Sequence, residues 1–247
     1  LVFDDLMKLK PKKIFVGGML VLSNGTIVSK IKKHPVPKWM TKTVKLNKFT
    51  EDNFSIKSHS DLVDVNVIDM KTEIITKKGH ETLSVKDENV IPSYDKDVWK
   101  VAAFDRTFGS TKHAVGFLKN FGPRIGAFAS TWSFHENNMI VIGSNEKDMA
   151  IAANSLLRTQ GGMIVVYKGK ILSSMPLQMA GIMSTDSFEK TSKNFSDINN
   201  TLLDSGCKFK KPHLIPLFLP FLALPEIRIL HQGIIDVKSR SFLKTIV

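Results

Sequence analysis

A strand, a capped helix and a second strand follow one another between residues 138 and 170, and this order constrains the fold more than any other feature of the sequence. The apolar run NMIVIGS predicts a buried strand, and Ser144 or Asn145 is placed to cap the helix that follows. The helix is predicted from Glu146 to about Thr159, with apolar side chains at helical spacing on one face: Met149, Ala152, Ala153, Leu156 and Leu157. A helix with one apolar face has to bury it, so the pattern predicts helices packed on a sheet.

The residues on either side extend this pattern. VWKVAAFDR and RIGAFAST each predict a buried strand upstream, and Gly161-Gly162 ends the helix before MIVVYKGKIL returns as a hairpin around Lys168-Gly169. A second helix is predicted from Ser187 to Leu203. The proline-interrupted apolar run PHLIPLFLPFLALPEI predicts a buried connection and no membrane span.

The chain divides by composition into two predicted domains. Residues 1–45 contain short β-forming runs separated by Gly17-Gly18 and the hairpin signal Asn24-Gly25, which predicts a small β-hairpin or sandwich segment. Residues 46–247 are predicted to form an α/β domain of mixed sheet with covering helices, and within them HETLSVKDENVIPSYDKD is predicted to be a polar surface connection. The fold class expected for the whole chain is therefore α+β.

Charge and cysteine content limit the classes of function. The net charge is +12, and residues 1–50 supply most of it through eleven lysines against two aspartates, with no arginine and few aromatic residues to stack on bases. We therefore expect no nucleic-acid partner and no membrane partner. The single cysteine, Cys207, excludes an internal disulfide and fits a cytoplasmic location, and the missing initiator Met suggests that the chain begins inside a longer one.

The sequence has no self-contained catalytic motif. None of its seven histidines forms an H-x-H, H-x-x-x-H or H-E-x-x-H pattern, and there is no G-x-S-x-G, Walker or G-x-G-x-x-G sequence, so no metal site is predicted in this chain. Polar residues instead follow the predicted strands: Asp105-Arg106, the stretch 130–138 and the small-residue segment PLQMAGIMS. Each also has an ordinary explanation, such as a turn or an Arg106–Asp105 ion pair, and their meeting at one edge of a sheet would favour a functional site.

These segments carry a resemblance to a known family. GFLKNFGPRIGAFAST, MIVIGSNEKDMAIAANSLLRTQGGMIVVYKGKILSSMPLQMAGIMS and PFLALPEIRILHQGIIDV resemble, in order and spacing, the C-terminal domain of bacterial adenine deaminases of the amidohydrolase superfamily. The likeness covers nearly the whole chain. Where typical members carry S-x-x-H-D-S-H-N, this chain has TWSFHENN, so that it resembles a divergent branch in which only Asn138 of the last five positions is kept.

The resemblance implies an enzyme whose catalytic barrel precedes Leu1 and binds manganese or iron, so that this chain alone is expected to be inactive. The implied reaction is hydrolytic deamination of adenine to hypoxanthine and ammonia by a metal-activated water. His135 and Glu136 are the candidate catalytic residues, and Asn137, Ser130 and Arg106 are the candidate substrate-binding residues. Expected partners are a purine, the barrel of the same protein and further copies in a homo-oligomer. The alternative is a non-catalytic scaffold or interface domain whose substrate is different or lost.

Overall fold

The computed structural model describes residues 1–30, 34–110, 112–134 and 136–247, and the chain separates into two compact units, Leu1–Pro35 and Val36–Val247. The sequence-based division at residues 45 and 46 stays a prediction about domain identity. The α+β class predicted from the sequence is confirmed by a large mixed sheet, few helices and two small antiparallel sheets.

The first unit contains one antiparallel sheet of three short strands, β1 (Lys13–Val16), β2 (Met19–Ser23) and β3 (Thr26–Ile27). The predicted turn between β2 and β3 forms at Asn24 and Gly25, which both have positive φ. None of the described residues of this unit is buried, and Phe15, Met19 and Ile27 are exposed. A three-stranded sheet without a buried face has little stability of its own.

The second unit is organised by a nine-stranded sheet. Its strands in chain order are β4 (Leu62–Met70), β5 (Thr76–Lys86), β6 (Asn89–Val90), β7 (Val98–Asp105), β8 (His113–Lys119), β9 (Ala127–Ser130), β10 (Asn138–Gly143), β11 (Gly162–Tyr167) and β12 (Lys170–Pro176). Their order across the sheet is β12-β11-β9-β10-β7-β8-β4-β5-β6. The described pairs are antiparallel except β4 with β8, which is parallel.

Helices and a smaller sheet cover the large sheet and bury its central strands. Helix α1 (Glu146–Thr159) is capped by Asn145, which accepts a hydrogen bond from the Asp148 N–H, and it buries its predicted apolar face against Ala129, Val141 and Ile164. Helix α2 (Phe188–Asp204) and the short α3 (Ile215–Phe218) bury side chains in the core that contains Trp99, Phe128 and Ile140. The chain ends in β13 (Ile227–Leu230), β14 (Gly233–Asp236) and β15 (Ser241–Leu243), a second three-stranded antiparallel sheet.

Most local predictions are confirmed, and one is wrong. Helices α1 and α2, strands β7, β9 and β10 and the hairpin at Lys168-Gly169 form where the sequence predicts them. The predicted polar connection over HETLSVKDENVIPSYDKD is instead half strand, because its first residues continue β5 and pair with β4. Its polar side chains fit there because β5 lies near the end of the sheet order and leaves alternate residues exposed. No described helix is long and apolar enough to span a membrane.

Candidate active site

Three of the polar segments singled out by the sequence meet where central strands of the large sheet end. We call this end of the sheet, with Arg106, residues 130–134 and 136–138 and Ala180-Gly181, the polar edge. β10 runs antiparallel to both β7 and β9, so its first residue, Asn138, pairs with Asp105, the last residue of β7. Ser130, the last residue of β9, pairs with Ile140 of β10 and with Met163 of β11. The ends of β7 and β9 and the start of β10 therefore lie side by side, and the polar residues that follow or precede them are neighbours.

Arg106 joins two of these segments. Its Nη1 donates to the Ala180 carbonyl oxygen at 3.1 Å, and its Nη2 donates to Asn137 Oδ1 at 3.2 Å. The side chain is buried, its Nε has no partner among the described residues, and burial lowers the pKa of its guanidinium to about 10. Arg106 is therefore a cation at neutral pH, and its hydrogen-bond partners among the described residues are neutral oxygens.

The ordinary pairing of Arg106 with its neighbour does not form. Asp105 Oδ1 instead accepts from the backbone N–H groups of Thr107 and Phe108, each at 3.1 Å, and so closes the turn after β7. Within the described ranges, Arg106 forms no ion pair with any carboxylate. A buried arginine with neutral partners and one donor nitrogen, Nε, without a described partner retains capacity for a further acceptor or anion.

The other predicted site residues occupy the same edge with different surroundings. Asn137 is half-buried, lies in the left-handed region with φ of 48° and accepts from Arg106. Glu136 is also half-buried, and its carboxylate has no hydrogen bond or ion pair with the described part of the chain. Ser130 is fully buried, and its hydroxyl accepts from the Trp132 N–H at 3.0 Å. His135 lies outside the described residues.

Thr131 fixes the small-residue segment against this edge. Its Oγ1 donates to the Gly181 carbonyl oxygen at 2.7 Å and accepts from the Gly162 N–H at 2.8 Å. Gly181 has φ of 71°, and a Cβ there would lie 2.7 Å from Arg106 Nη1. Only glycine allows this approach without displacing the arginine, so the segment MAGIMS carries a glycine at the point where it touches the guanidinium.

Asn138 connects the edge to the C-terminal sheet. The residue is fully buried, and its Nδ2 donates to the Glu136 carbonyl oxygen at 3.0 Å. Its Oδ1 accepts from the His231 N–H at 2.8 Å and lies 3.1 Å from His231 Nδ1. His231 follows β13, so one asparagine holds both the segment before β10 and the turn between β13 and β14.

An apolar cavity of about 640 Å³ lies next to the polar edge. Trp132, two residues after Ser130, lines it together with residues of the MAGIMS segment and of α2: Ile182, Met183, Phe188 and Phe195. Asp186 and Thr191 add polar atoms to its wall. Its size and its mostly apolar lining with a few polar groups are typical of small-molecule sites.

A metal ligand set is not found in the described residues. In ranges 1–30, 34–110, 112–134 and 136–247, no three His, Cys, Asp or Glu side chains come close enough to hold a metal ion. Manganese or iron would require such a group of carboxylates and imidazoles. The described residues therefore do not fit the metal that the family resemblance implies.

Sequence reasoning did not find three of the residues that build the edge. Thr131 and Asn138 lie inside the stretch singled out above, but their roles depend on partners far along the chain, Gly181 and His231. His231 stands in no motif that sets it apart from the other histidines of the sequence. The only local signal was that Asn138 opens an apolar strand with an amide, a group that must find partners once it is buried.

Comparison with known proteins gives matches over most of the chain. The family model for the adenine deaminase C-terminal domain matches residues 73–241. The chain is 50% identical over 244 residues to an adenine deaminase of Cenarchaeum symbiosum. This alignment covers 98% of this chain and 40% of that relative. It is 33% identical over 247 residues to one of Clostridium botulinum (99% and 41% covered) and 34% identical over 227 residues to one of Brucella abortus (91% and 39% covered). The chain thus spans about two fifths of the length of these relatives.

Proposed function

The chain belongs to the adenine deaminase C-terminal domain family, and from this we propose that it completes the substrate pocket of an enzyme that hydrolyses adenine to hypoxanthine and ammonia. The observation that supports this most is the contact of Arg106 with both Asn137 and Ala180. Three sequence segments with ordinary explanations of their own are thereby joined in one polar edge beside an apolar cavity. Small-molecule sites combine these two kinds of surface.

The proposed roles follow from the chemistry of each side chain. Glu136 and the neighbouring His135 act as proton-transferring groups toward the substrate, because carboxylates and imidazoles are the side chains that serve most often as general acids and bases. Asn137 offers donors and acceptors to the polar edge of a purine, and Ser130, which is fully buried, supports the pocket by accepting from the Trp132 N–H. Arg106 orients Asn137 and keeps the MAGIMS segment in place through Ala180.

A polar pocket of this kind suits a purine over an apolar ring of the same size. The wrong substrate leaves buried donors and acceptors without partners, which costs more than a missing apolar contact. The planar base would find apolar and aromatic surface in the neighbouring cavity at Trp132.

The rest of the enzyme is proposed to lie outside this chain. Support comes from the relatives, of which the chain spans about two fifths, and from the N-terminal sheet, which has no buried residue among those described. We propose that a barrel of the same protein supplies the metal, manganese or iron, and covers the polar edge, and that the enzyme is a cytoplasmic homo-oligomer.

The test is ammonia release from adenine, with manganese or iron supplied, by the full-length protein and by this 247-residue chain side by side. We expect ammonia from the full-length protein only. His135→Ala in the full-length protein should lower turnover without lowering the melting temperature. A full-length protein that binds metal but leaves adenine intact contradicts the proposed substrate and favours the alternative of a scaffold or interface domain.

A further inference from the structure

The bond between Asn138 and His231 defines the tautomer of the neutral imidazole. The His231 backbone N–H is an obligatory donor, so the Asn138 atom 2.8 Å from it must be the amide oxygen. The same oxygen lies 3.1 Å from His231 Nδ1. An oxygen acceptor requires a proton on Nδ1, and a neutral imidazole with its proton on Nδ1 carries its lone pair on Nε2.

The backbone bond alone would attach the turn to β10, since any residue except proline provides that donor. The additional side-chain bond selects one tautomer and one ring orientation of His231. The ring is half-buried, and Nε2 has no hydrogen-bond partner among the residues that the structure describes. Asn138 is completely buried, with each end of its amide occupied, so the histidine is oriented by a group that cannot turn away.

The position of His231 relates it to the candidate site. Its partner Asn138 directly follows Asn137, which Arg106 binds, and pairs across the sheet with Asp105. The amide of Asn138 also holds the carbonyl group of Glu136. One buried residue therefore contacts His231 and the stretch that carries the proposed catalytic groups.

We infer that His231 is a substrate-binding residue whose Nε2 accepts a hydrogen bond from an N–H group of the purine. This inference rests on the proposed function, since it concerns the same site and the same substrate. A neutral acceptor fixed in one tautomer is suited to an exocyclic amine or a ring N–H, and it would not accept from a bare ring nitrogen. His231 thereby contributes to the discrimination between nitrogen heterocycles that present a donor at this point and those that do not.

Two substitutions separate the two ring nitrogens. His231→Asn keeps an N–H near the position of Nδ1 and lacks any group at Nε2, whereas His231→Gln reaches the position of Nε2 and lacks the donor to Asn138. If Nε2 binds substrate, kcat/KM of the full-length enzyme for adenine should fall about tenfold in His231→Asn, mostly through KM, and less in His231→Gln. A role limited to holding Asn138 predicts the reverse order, and that result would overturn the inference.

The control is an exposed histidine. His59 Nδ1 lies 3.5 Å from Glu88 Oε1, and the described residues show no hydrogen bond between His59 and Arg106 or Asn138. His59→Asn should leave kcat/KM within about twofold of wild type. If wild type turns over adenine and His231→Asn is unaffected, His231 does not bind substrate, and the proposed function is retained. Absence of turnover and of adenine binding by wild type would remove both.

Chemical modification gives a readout that does not depend on turnover. Diethyl pyrocarbonate acylates an unprotonated imidazole nitrogen, so His231 should react in the free full-length protein and be protected by saturating adenine. His59, whose side chain is 88% exposed, should react equally with and without adenine. Equal labelling of His231 in both conditions, measured by mass spectrometry of its peptide, would contradict substrate contact.

Discussion

The two ends of strand β7 bury a cation each, and they do so in opposite ways. Near its start, Lys100 is fully buried and contacts Glu146 Oε1 and, at 3.0 Å, Asn89 Oδ1. Just past its end, Arg106 is almost as buried, but its partners in the described part of the chain are a backbone carbonyl and an asparagine. A carboxylate partner neutralises a buried cation within the fold. A buried cation that is bound by neutral groups keeps its charge, which can then attract an anion or another acceptor.

The Lys100 end has the properties of a structural site. Burial by itself lowers the pKa of the Lys100 ammonium, and the hydrogen bond and charge of Glu146 oppose this effect. Asn89 donates to the same Glu146 oxygen at 2.7 Å, and its own Oδ1 also accepts from the Ile56 N–H. The network thus links β6, β7 and the first turn of α1.

The largest effect is expected from breaking the Lys100–Glu146 pair at the start of β7, the paired end of this strand. Glu146→Gln leaves the buried Lys100 without its counter-charge, and we expect the free energy of unfolding to fall by about 3–5 kcal/mol in urea denaturation. Lys147→Gln, at the exposed neighbouring position, should change it by less than about 0.5 kcal/mol. The double variant Lys100→Met/Glu146→Gln should recover part of the loss. A Glu146→Gln protein as stable as wild type would show that the pair contributes nothing.

The next effect compares Arg106 with a second buried arginine. Arg228 is fully buried, and its guanidinium donates to four backbone carbonyl oxygens: those of Leu224, Phe218, Ile74 and Pro225. Burial lowers the pKa of both arginines to about 10, so the two are matched in charge and differ in the number of their partners.

Arg228→Met removes all four bonds, and we expect a loss of about 3 kcal/mol in unfolding free energy. Arg106→Met removes two bonds together with the burial cost of an unpaired charge, and the loss should be about 1 kcal/mol. The loss of activity should be larger for Arg106→Met than for Arg228→Met, because Arg106 binds Asn137, whereas the described hydrogen-bond partners of Arg228 lie outside the candidate site. In the full-length enzyme, kcat/KM should fall more for Arg106→Met than for Arg228→Met relative to the fraction folded. Equal losses of stability and activity for both would remove the distinction between the two arginines.

A fall in pH should weaken the Lys100–Glu146 pair and leave the contacts of Arg106 unchanged. Burial raises the pKa of the Glu146 carboxyl, but the hydrogen bond and charge of Lys100 outweigh burial and hold it below its ordinary value. A carboxyl with a lowered pKa in the folded state contributes stability that is complete above its unfolded pKa, about 4.3, and lost as the pH falls through the folded value. The difference in unfolding free energy between wild type and Glu146→Gln should therefore shrink below about pH 4. A difference that stays constant between pH 7 and pH 3 would contradict the linkage.

The sequence predicted the elements better than the contacts between them. Helix α1 was predicted to its end residues because its cap and apolar face are local features of the chain. Strand β8 and the sheet of β13, β14 and β15 were not predicted. HAVGFLK and the short C-terminal runs lack a clear alternation of apolar and polar residues. The candidate site depends on bonds between Arg106 and residues 31 and 74 positions away, which exist only after the strands are in register. Local composition indicated polar strand ends but not their convergence.

The smallest expected effect tests whether the MAGIMS segment is fitted to Arg106. Gly181 and Gly169 both have positive φ, of 71° and 77°, so Ala at either position meets the same backbone strain of about 1–2 kcal/mol. They differ in space, because a Cβ on Gly181 would lie 2.7 Å from Arg106 Nη1, whereas the nearest atom to one on Gly169 is Ile151 Cδ1 at 3.9 Å.

We therefore expect Gly181→Ala to be less stable than Gly169→Ala by about 1 kcal/mol in urea denaturation, because the added methyl displaces the guanidinium or the segment itself. In the full-length enzyme, Gly181→Ala should also raise KM for adenine, since Arg106 orients Asn137, and Gly169→Ala should not. Equal stability and equal KM for the two variants would mean that the guanidinium moves aside without cost. Arg106 would then be a loosely held charge, and the unpaired end of β7 would have no fixed geometry to offer a substrate.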